Sequence, residues 1–302
     1  MNTGASHEAR AVVLHTLDYG ESDRIATFFT LEFGKIKGIA KGARRSKRRF
    51  VNALEPFSCA DIRFSRKGNS LAFVDQCDVV NHFPAIRADL EKSTSASYLV
   101  ELTGAFTVEG KPSEEVFELL TDFLSIMDKE PFSLALLSFF EMRLLCLSGF
   151  EPIIDRCSLC NRPLEAESPY RFSNSRGGLL CGRCEDIHPS EPPLHMGTIL
   201  SLIYAKDALA SSLAEFTLSP RAVRESRRLL GHFIRHILGK ELKSLQVLKQ
   251  LRQMGIIGQR ETSGAVAGQQ EAGEGGRRQQ ETRVKTENKK WDTRCIEDQK
   301  GQ

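Results

Sequence analysis

Cys157-Ser-Leu-Cys160 and Cys181-Gly-Arg-Cys184, with twenty residues between them, constrain this chain more than any other stretch. Two residues between cysteines let one tight turn aim both sulfurs at a single point, and two such turns complete a tetrahedron around Zn²⁺. Gly182 relaxes the second turn, and Arg156 and Arg183 can offset a site whose metal and thiolates sum to about −2. Between the pairs, Tyr170-Arg-Phe172 and Leu179-Leu180, joined through Gly177-Gly178, predict the short strands of a zinc ribbon. Two disulfides or a redox CxxC are the rival readings. Nothing suggests secretion, and a redox motif needs no duplicate at this distance. Four cysteines leave no open position for water or substrate, so the expected Zn²⁺ is structural, one per chain. Neither H-E-x-x-H nor H-x-E with P-C-x-x-C occurs, so zinc hydrolase and deaminase chemistry is not indicated. His188 and His195 follow the second pair and read as surface or core histidines.

A chain of 302 residues suggests two domains, and 40% apolar with 27% charged residues is enough for a real core. No window approaches a membrane span, and the first residues lack the basic and apolar regions of an export signal. Cys59, Cys77 and Cys146 lie inside apolar patterns and Cys295 stands apart, which fits reduced thiols in a cytoplasm.

The predicted fold class is α+β and multidomain. In residues 1–82, a first strand opened by Val12, Val13 and Leu14 and followed by a turn at Asp18-Tyr19-Gly20-Glu21, then Arg24 to Thr30, Lys35 to Ala40, Phe57 to Ser65 and Leu71 to Val80, read as five short strands. That pattern predicts an OB-fold barrel, with an SH3-like barrel nearly indistinguishable. From Asn81 the apolar period changes to that of helices. Ser93–Thr107, Ser113–Met127 and Phe132–Leu147 form the first part of a helical domain over 83–155, the third stretch apolar nearly all round. The ribbon occupies 156–187. Helices at His195–Leu213, Ser219–Leu238 and Leu242–Leu251 complete the helical domain over 188–256. Residues 257–302 are rich in Gly, Gln, Glu, Arg and Lys, and are expected to be a disordered tail.

Between Phe33 and Leu54 stand eight basic residues and no acid: Lys35, Lys37, Lys41, Arg44, Arg45, Lys47, Arg48 and Arg49. The run from Lys41 lacks an apolar period and predicts a mobile loop. On a small barrel, a strand carrying Lys35 and Lys37 into a cationic loop predicts a groove for a polyanion backbone. A solvated loop with no partner is the plainer reading, although acids are usually interspersed when solubility is the only demand. Of Phe28, Phe29, Phe50 and Phe57, Phe50 alone is expected to be exposed and free to stack on bases.

On the Ser219 helix, Arg221, Arg224, Arg228, His232 and Arg235 fall within about 80° of one another. Val223, Leu230, Phe233, Ile234 and Ile237 take the opposite side. The stripe predicts a phosphate track or an acidic-partner site, with an ordinary solvated face as the alternative. Enzymatic motifs are missing: no phosphate-binding G-x-x-x-x-G-K-[ST], no dinucleotide fingerprint and no nucleophile elbow. Asp18, Glu21 and Asp23 could suggest a metal-dependent nuclease, but three acids in a solvated turn are common and no histidine set joins them.

Several stretches together resemble the bacterial RecO recombination mediators. They are Ala11-Val-Val-Leu-His-Thr-Leu-Asp-Tyr-Gly-Glu21, Gly34-Lys-Ile-Lys-Gly-Ile-Ala-Lys-Gly42, Tyr98-Leu-Val-Glu-Leu102, Arg143-Leu-Leu-Cys-Leu-Ser-Gly-Phe-Glu-Pro152, the four cysteines, and Leu238-Gly-Lys-Glu-Leu-Lys-Ser244. The similarity covers residues 8 to about 254. Asn161 stands where the family usually has glycine. The resemblance implies an OB-fold, a helical domain with an inserted zinc ribbon, and no catalysis. It further implies a cytoplasmic, nucleoid-associated protein that binds single- and double-stranded DNA and anneals complementary strands. With RecR, such a protein helps load RecA onto DNA coated by single-strand binding protein (SSB). The acidic, phenylalanine-ending tail of SSB is expected on the Ser219 helix, with Phe233 and Ile237 lining a groove and Arg224 or Arg228 at its rim. Two other classes fit the residues alone: an RNA chaperone and a zinc-stapled protein-interaction adaptor.

Overall fold

Ala9, Ala11 and Val13 alternate with outward residues along β1 (Ser6–Tyr19), and this two-residue period buries one side of the strand. β2 (Asp23–Thr30), β3 (Gly34–Ala40), β4 (Cys59–Ser65) and β5 (Ala72–Asn81) repeat the pattern, sending Phe28, Ile36, Ile62, Phe64 and Val74 to the same interior. The strands close into a barrel in the order β1-β2-β3-β5-β4, with β3 and β5 the parallel pair. The computed structural model describes residues 5–68, 70–166, 168–184 and 192–258. The expected tail from 257 falls almost wholly outside them, as do His188 and Cys295.

The described residues up to Met254 form a first unit, and Gly255–Gly258 belong to a second. Within the first, helices follow the barrel: α1 (Pro84–Ala88), α2 (Leu90–Phe106), α3 (Glu114–Lys129) and α4 (Leu134–Leu147). Side-chain caps open three of them, Asp89 on α2, Ser113 on α3 and Ser133 on α4, each accepting from a backbone N–H of the first turn. The ribbon strands β6 (Tyr170–Ser173) and β7 (Gly178–Cys181) come next, then α5 (Met196–Asp207), α6 (Ala210–Glu215), α7 (Pro220–Leu238) and α8 (Lys243–Gln253). α4 is buried on nearly every side, as its composition predicts. The single helix expected over His195–Leu213 is two, because Ala208 and Leu209 adopt extended backbone between α5 and α6.

The helical domain covers part of the barrel's outer wall. Phe29 on β2 meets Phe117 on α3 with ring centroids 6.1 Å apart. Gly34, at φ +66°, turns the chain from β2 to β3 against the segment before α3; a Cβ there would lie 2.1 Å from the Lys111 carbonyl oxygen.

Candidate nucleic-acid interface and metal centre

Hydrogen bonds tie the basic stretch after β3 to its neighbours. A 3-10 turn spans Ala43–Arg45, and the Arg44 N–H donates to the Ser22 carbonyl at 3.0 Å. Arg49 donates to the Lys41 carbonyl at 3.0 Å and lies over the Phe50 ring. Phe50 itself is 4% exposed, correcting the expectation of a free ring: with Ala53 and Leu54 it joins the barrel interior. Phe28, Phe29 and Phe57 are buried as well, so none of the four can stack on a base.

Lys41, Arg44, Arg45, Lys47, Arg48 and Arg49 are exposed, and Lys37 is exposed on β3. The acids of the β1–β2 hairpin reach two of them. Arg44 Nε lies 3.5 Å from Asp18 Oδ2, and Arg45 Nη2 lies 3.9 Å from Glu21 Oε2. Asp23 accepts from the Gly42 N–H at 2.8 Å, a bond that holds its carboxyl below the usual range. The three acids are therefore engaged with the basic loop and do not form a nuclease-like cluster. Lys35 departs most from expectation. Its ammonium turns away from the loop and donates to the Gly104 and Thr107 carbonyls, both at 2.6 Å, at the end of α2. Burial lowers its pKa. Lys35 ties barrel to helix.

The four cysteine sulfurs lie within 4.8 Å of one another. Cys160 Sγ and Cys181 Sγ are 3.8 Å apart, near the sulfur–sulfur edge of a tetrahedron with metal–sulfur bonds of about 2.3 Å. A disulfide would need about 2.0 Å, and all four are free. Burial raises the Cys157 thiol, but N–H bonds from Cys160, Cys181 and Leu159 outweigh it and bring the group down to about 6, whereas burial raises Cys181 and the hydrogen bond to Cys160 takes Cys184 up to about 12. The donor set thus fits a thiophilic divalent metal.

Two turns build the centre. Asn161 closes the first, donating its N–H to the Cys157 carbonyl at 2.9 Å with φ +59°, a conformation asparagine adopts in glycine's place. In the second, the Cys184 N–H reaches the Cys181 carbonyl at 2.8 Å. Gly178 admits the first knuckle: a Cβ would stand 2.8 Å from that of Ser158. Arg156 and Arg183 lie near Asp155 and Glu165, at 2.8 and 4.0 Å, so carboxylates already meet the charges expected to balance the thiolates.

The basic stripe on α7 divides. Arg224, Arg228, His232 and Arg235 line a cavity of about 370 Å³ between α7 and α8. Arg221 lies outside it and bonds Glu225 at 2.7 Å. Phe233 is not a groove residue. It is buried against Phe172 of the ribbon, ring centroids 5.2 Å apart, and docks the ribbon on α7. Ile237 is not among the lining residues; Leu134, Val223, Leu245 and Leu248 supply the apolar wall.

Sequence reasoning missed Arg227, which also lines this cavity. Its guanidinium bonds Glu141, a fully buried carboxylate that also accepts from the Tyr98 hydroxyl at 2.6 Å. Burial and that charge push the Tyr98 phenol well above its ordinary range. A glutamate in the middle of a mostly apolar helix was the available signal, since a buried carboxylate demands a partner.

The described residues thus make a small closed barrel, a capped helical domain and a four-cysteine module docked on it, and no described helix is long and apolar enough to cross a bilayer. The chain matches the family models "Recombination protein O N terminal" over residues 1–83 and "Recombination protein O C terminal" over 87–246. It is 45% identical over 260 residues to the DNA repair protein RecO of Syntrophus aciditrophicus, covering 85% of this chain and 100% of that one. The RecO proteins of Anaeromyxobacter sp. strain K and Geobacter metallireducens are 39% and 37% identical, covering 80% and 82% of this chain and 94% and 98% of theirs. The chain belongs to the recombination protein O family.

Proposed function

We propose that this protein acts in recombinational DNA repair as a non-catalytic mediator in the bacterial cytoplasm. In this reading it binds single- and double-stranded DNA on the barrel and anneals complementary strands. With RecR it assists RecA loading on SSB-coated DNA. Family membership motivates the annealing and loading steps. The observation that carries DNA binding is the exposure of Lys37, Lys41, Arg44, Arg45, Lys47 and Arg48, on β3 and in the loop that follows it. Contacts from such side chains to phosphates supply affinity without sequence preference.

Zn²⁺ is the metal this reading assigns to Cys157, Cys160, Cys181 and Cys184. When bound it supplies cross-linking and charge balance, and the ribbon it closes supports α7 through Phe172 and Phe233. The α7–α8 cavity suits the SSB tail: an apolar wall for its terminal ring, and Arg224 and Arg228 for its carboxylates.

A strand-annealing assay with and without SSB tests the proposal. The protein should accelerate annealing of complementary strands, and should still do so when SSB coats them. No acceleration on naked strands would overturn the annealing role.

A further inference from the structure

A β-bulge in β1 reverses which side of the strand faces out. Before it, Ala9, Ala11 and Val13 point into the barrel. The register then shifts between Val13 and His15. Because strand side chains alternate, the extra residue sends His15, Leu17 and Tyr19 outward when unbroken alternation would have buried them. Thr16 turns inward and donates its hydroxyl to the Leu54 carbonyl at 2.6 Å.

The consequence is an apolar row across the outer wall. Leu17 pairs with Ile25, Ile25 with Ile39, and Ile39 with Phe73, so four strands contribute one residue each. Leu17 is 57% exposed, and the other three are partly exposed. Tyr19, 55% exposed, stands one row further along β1. Cations flank the row: Lys37 on one side, and on the other Lys41, whose ammonium sits 5.9 Å from the Phe73 ring. The neighbouring row of His15, Thr27 and Lys37 forms one wall of a cavity of about 660 Å³ against α2, with Lys243 on its rim. The two carboxylates there are engaged: Glu101 accepts from the Lys243 and Ser244 N–H groups, and Glu109 pairs with Arg66 at 3.2 Å.

We infer that the Leu17–Ile25–Ile39–Phe73 row is the base-contacting surface for single-stranded nucleic acid, with Tyr19 as a stacking platform at its end. This rests on the nucleic-acid reading above and adds what that reading lacks, since the loop arginines can hold only phosphates. An unpaired strand presents apolar base faces and a charged backbone together, and this wall offers an apolar row between cations. A duplex hides its base faces. The row therefore discriminates single strands from duplex, and the basic loop does not.

The test uses the full chain with three labelled probes of equal length: oligothymidylate, an abasic strand and a duplex. Leu17→Thr with Ile39→Thr places β-branched, strand-compatible residues at both positions. It should weaken oligothymidylate binding about tenfold, the scale of lost base contacts, with the salt slope unchanged. Affinity for the abasic strand and the duplex should stay with the parent's. Separately, Leu17→Trp in a Trp291→Phe background should bind oligothymidylate more tightly, with its emission quenched on binding. Equal loss on all three probes, or no loss in a variant that melts with the parent, overturns the inference and leaves the row to a protein partner. Binding of Leu17→Trp without quenching overturns it too. If the parent binds none of the probes, the nucleic-acid reading itself falls and takes this inference with it.

Discussion

Lys35 donates a 2.6 Å hydrogen bond to the carbonyl oxygen of Thr107, the residue that ends α2. A cation at a helix C-terminus meets carbonyls with no partner inside the helix, and the negative end of the helix dipole. Lys37, two residues on, is exposed. Lys35→Met should therefore cost about 1–3 kcal/mol of stability, the scale of charged hydrogen bonds lost. DNA affinity should barely change in Lys35→Met and should drop in Lys37→Gln. Denaturant titration and a salt series on both variants check this; the reverse pattern would return Lys35 to the DNA face.

Replacing Arg44, Arg45 and Arg48 together with Gln should weaken binding to all sequences alike. Arg49 is left in place because it bonds the Lys41 carbonyl and orders the loop. At about 0.7 per phosphate on single strands, three lost contacts should flatten the salt slope by about 2. Asp18→Asn with Glu21→Gln should act in the opposite sense, since those carboxylates lie beside Arg44 and Arg45 and phosphate must displace them. An unchanged slope in the arginine variant would move the phosphate track to α7.

Purified protein should carry one Zn²⁺ per chain, and Cys181→Ser should release it and lower the melting temperature. DNA affinity of the remaining folded fraction should hold, because the ribbon packs on α7 and the basic loop belongs to the barrel. Metal analysis finding no zinc in fresh protein, with four titratable thiols, would end the assignment.

Arg224→Glu with Arg228→Glu should abolish binding of an SSB tail peptide and leave naked-DNA affinity within a few-fold. Both residues line the α7–α8 cavity. Leu248→Ser tests the apolar wall, and should weaken the peptide without changing the salt slope of DNA binding. Normal peptide affinity in the arginine variant would exclude this cavity.

Local signals carried much of the architecture. The two CxxC pairs placed the four-cysteine cluster, because two-residue spacing is a property of one turn and needs no distant partner. Alternation located the strands, and Ser113 and Ser219 marked helix starts with their own side chains. The direction each side chain takes in the assembled fold was another matter. Phe50 and Arg49 sit in one basic run, yet one fills the barrel and the other braces the loop. Phe233 shares its helix face with apolar neighbours, but it meets Phe172 from a segment about sixty residues earlier. Lys35 and Lys37 have the same period and opposite fates, decided by where α2 ends. The bulge after Val13 reverses the facing of Leu17 with no residue to announce it, because bulges arise from pairing between strands. Spacing and period are written along the chain, whereas facing is set by which surfaces the tertiary fold brings together.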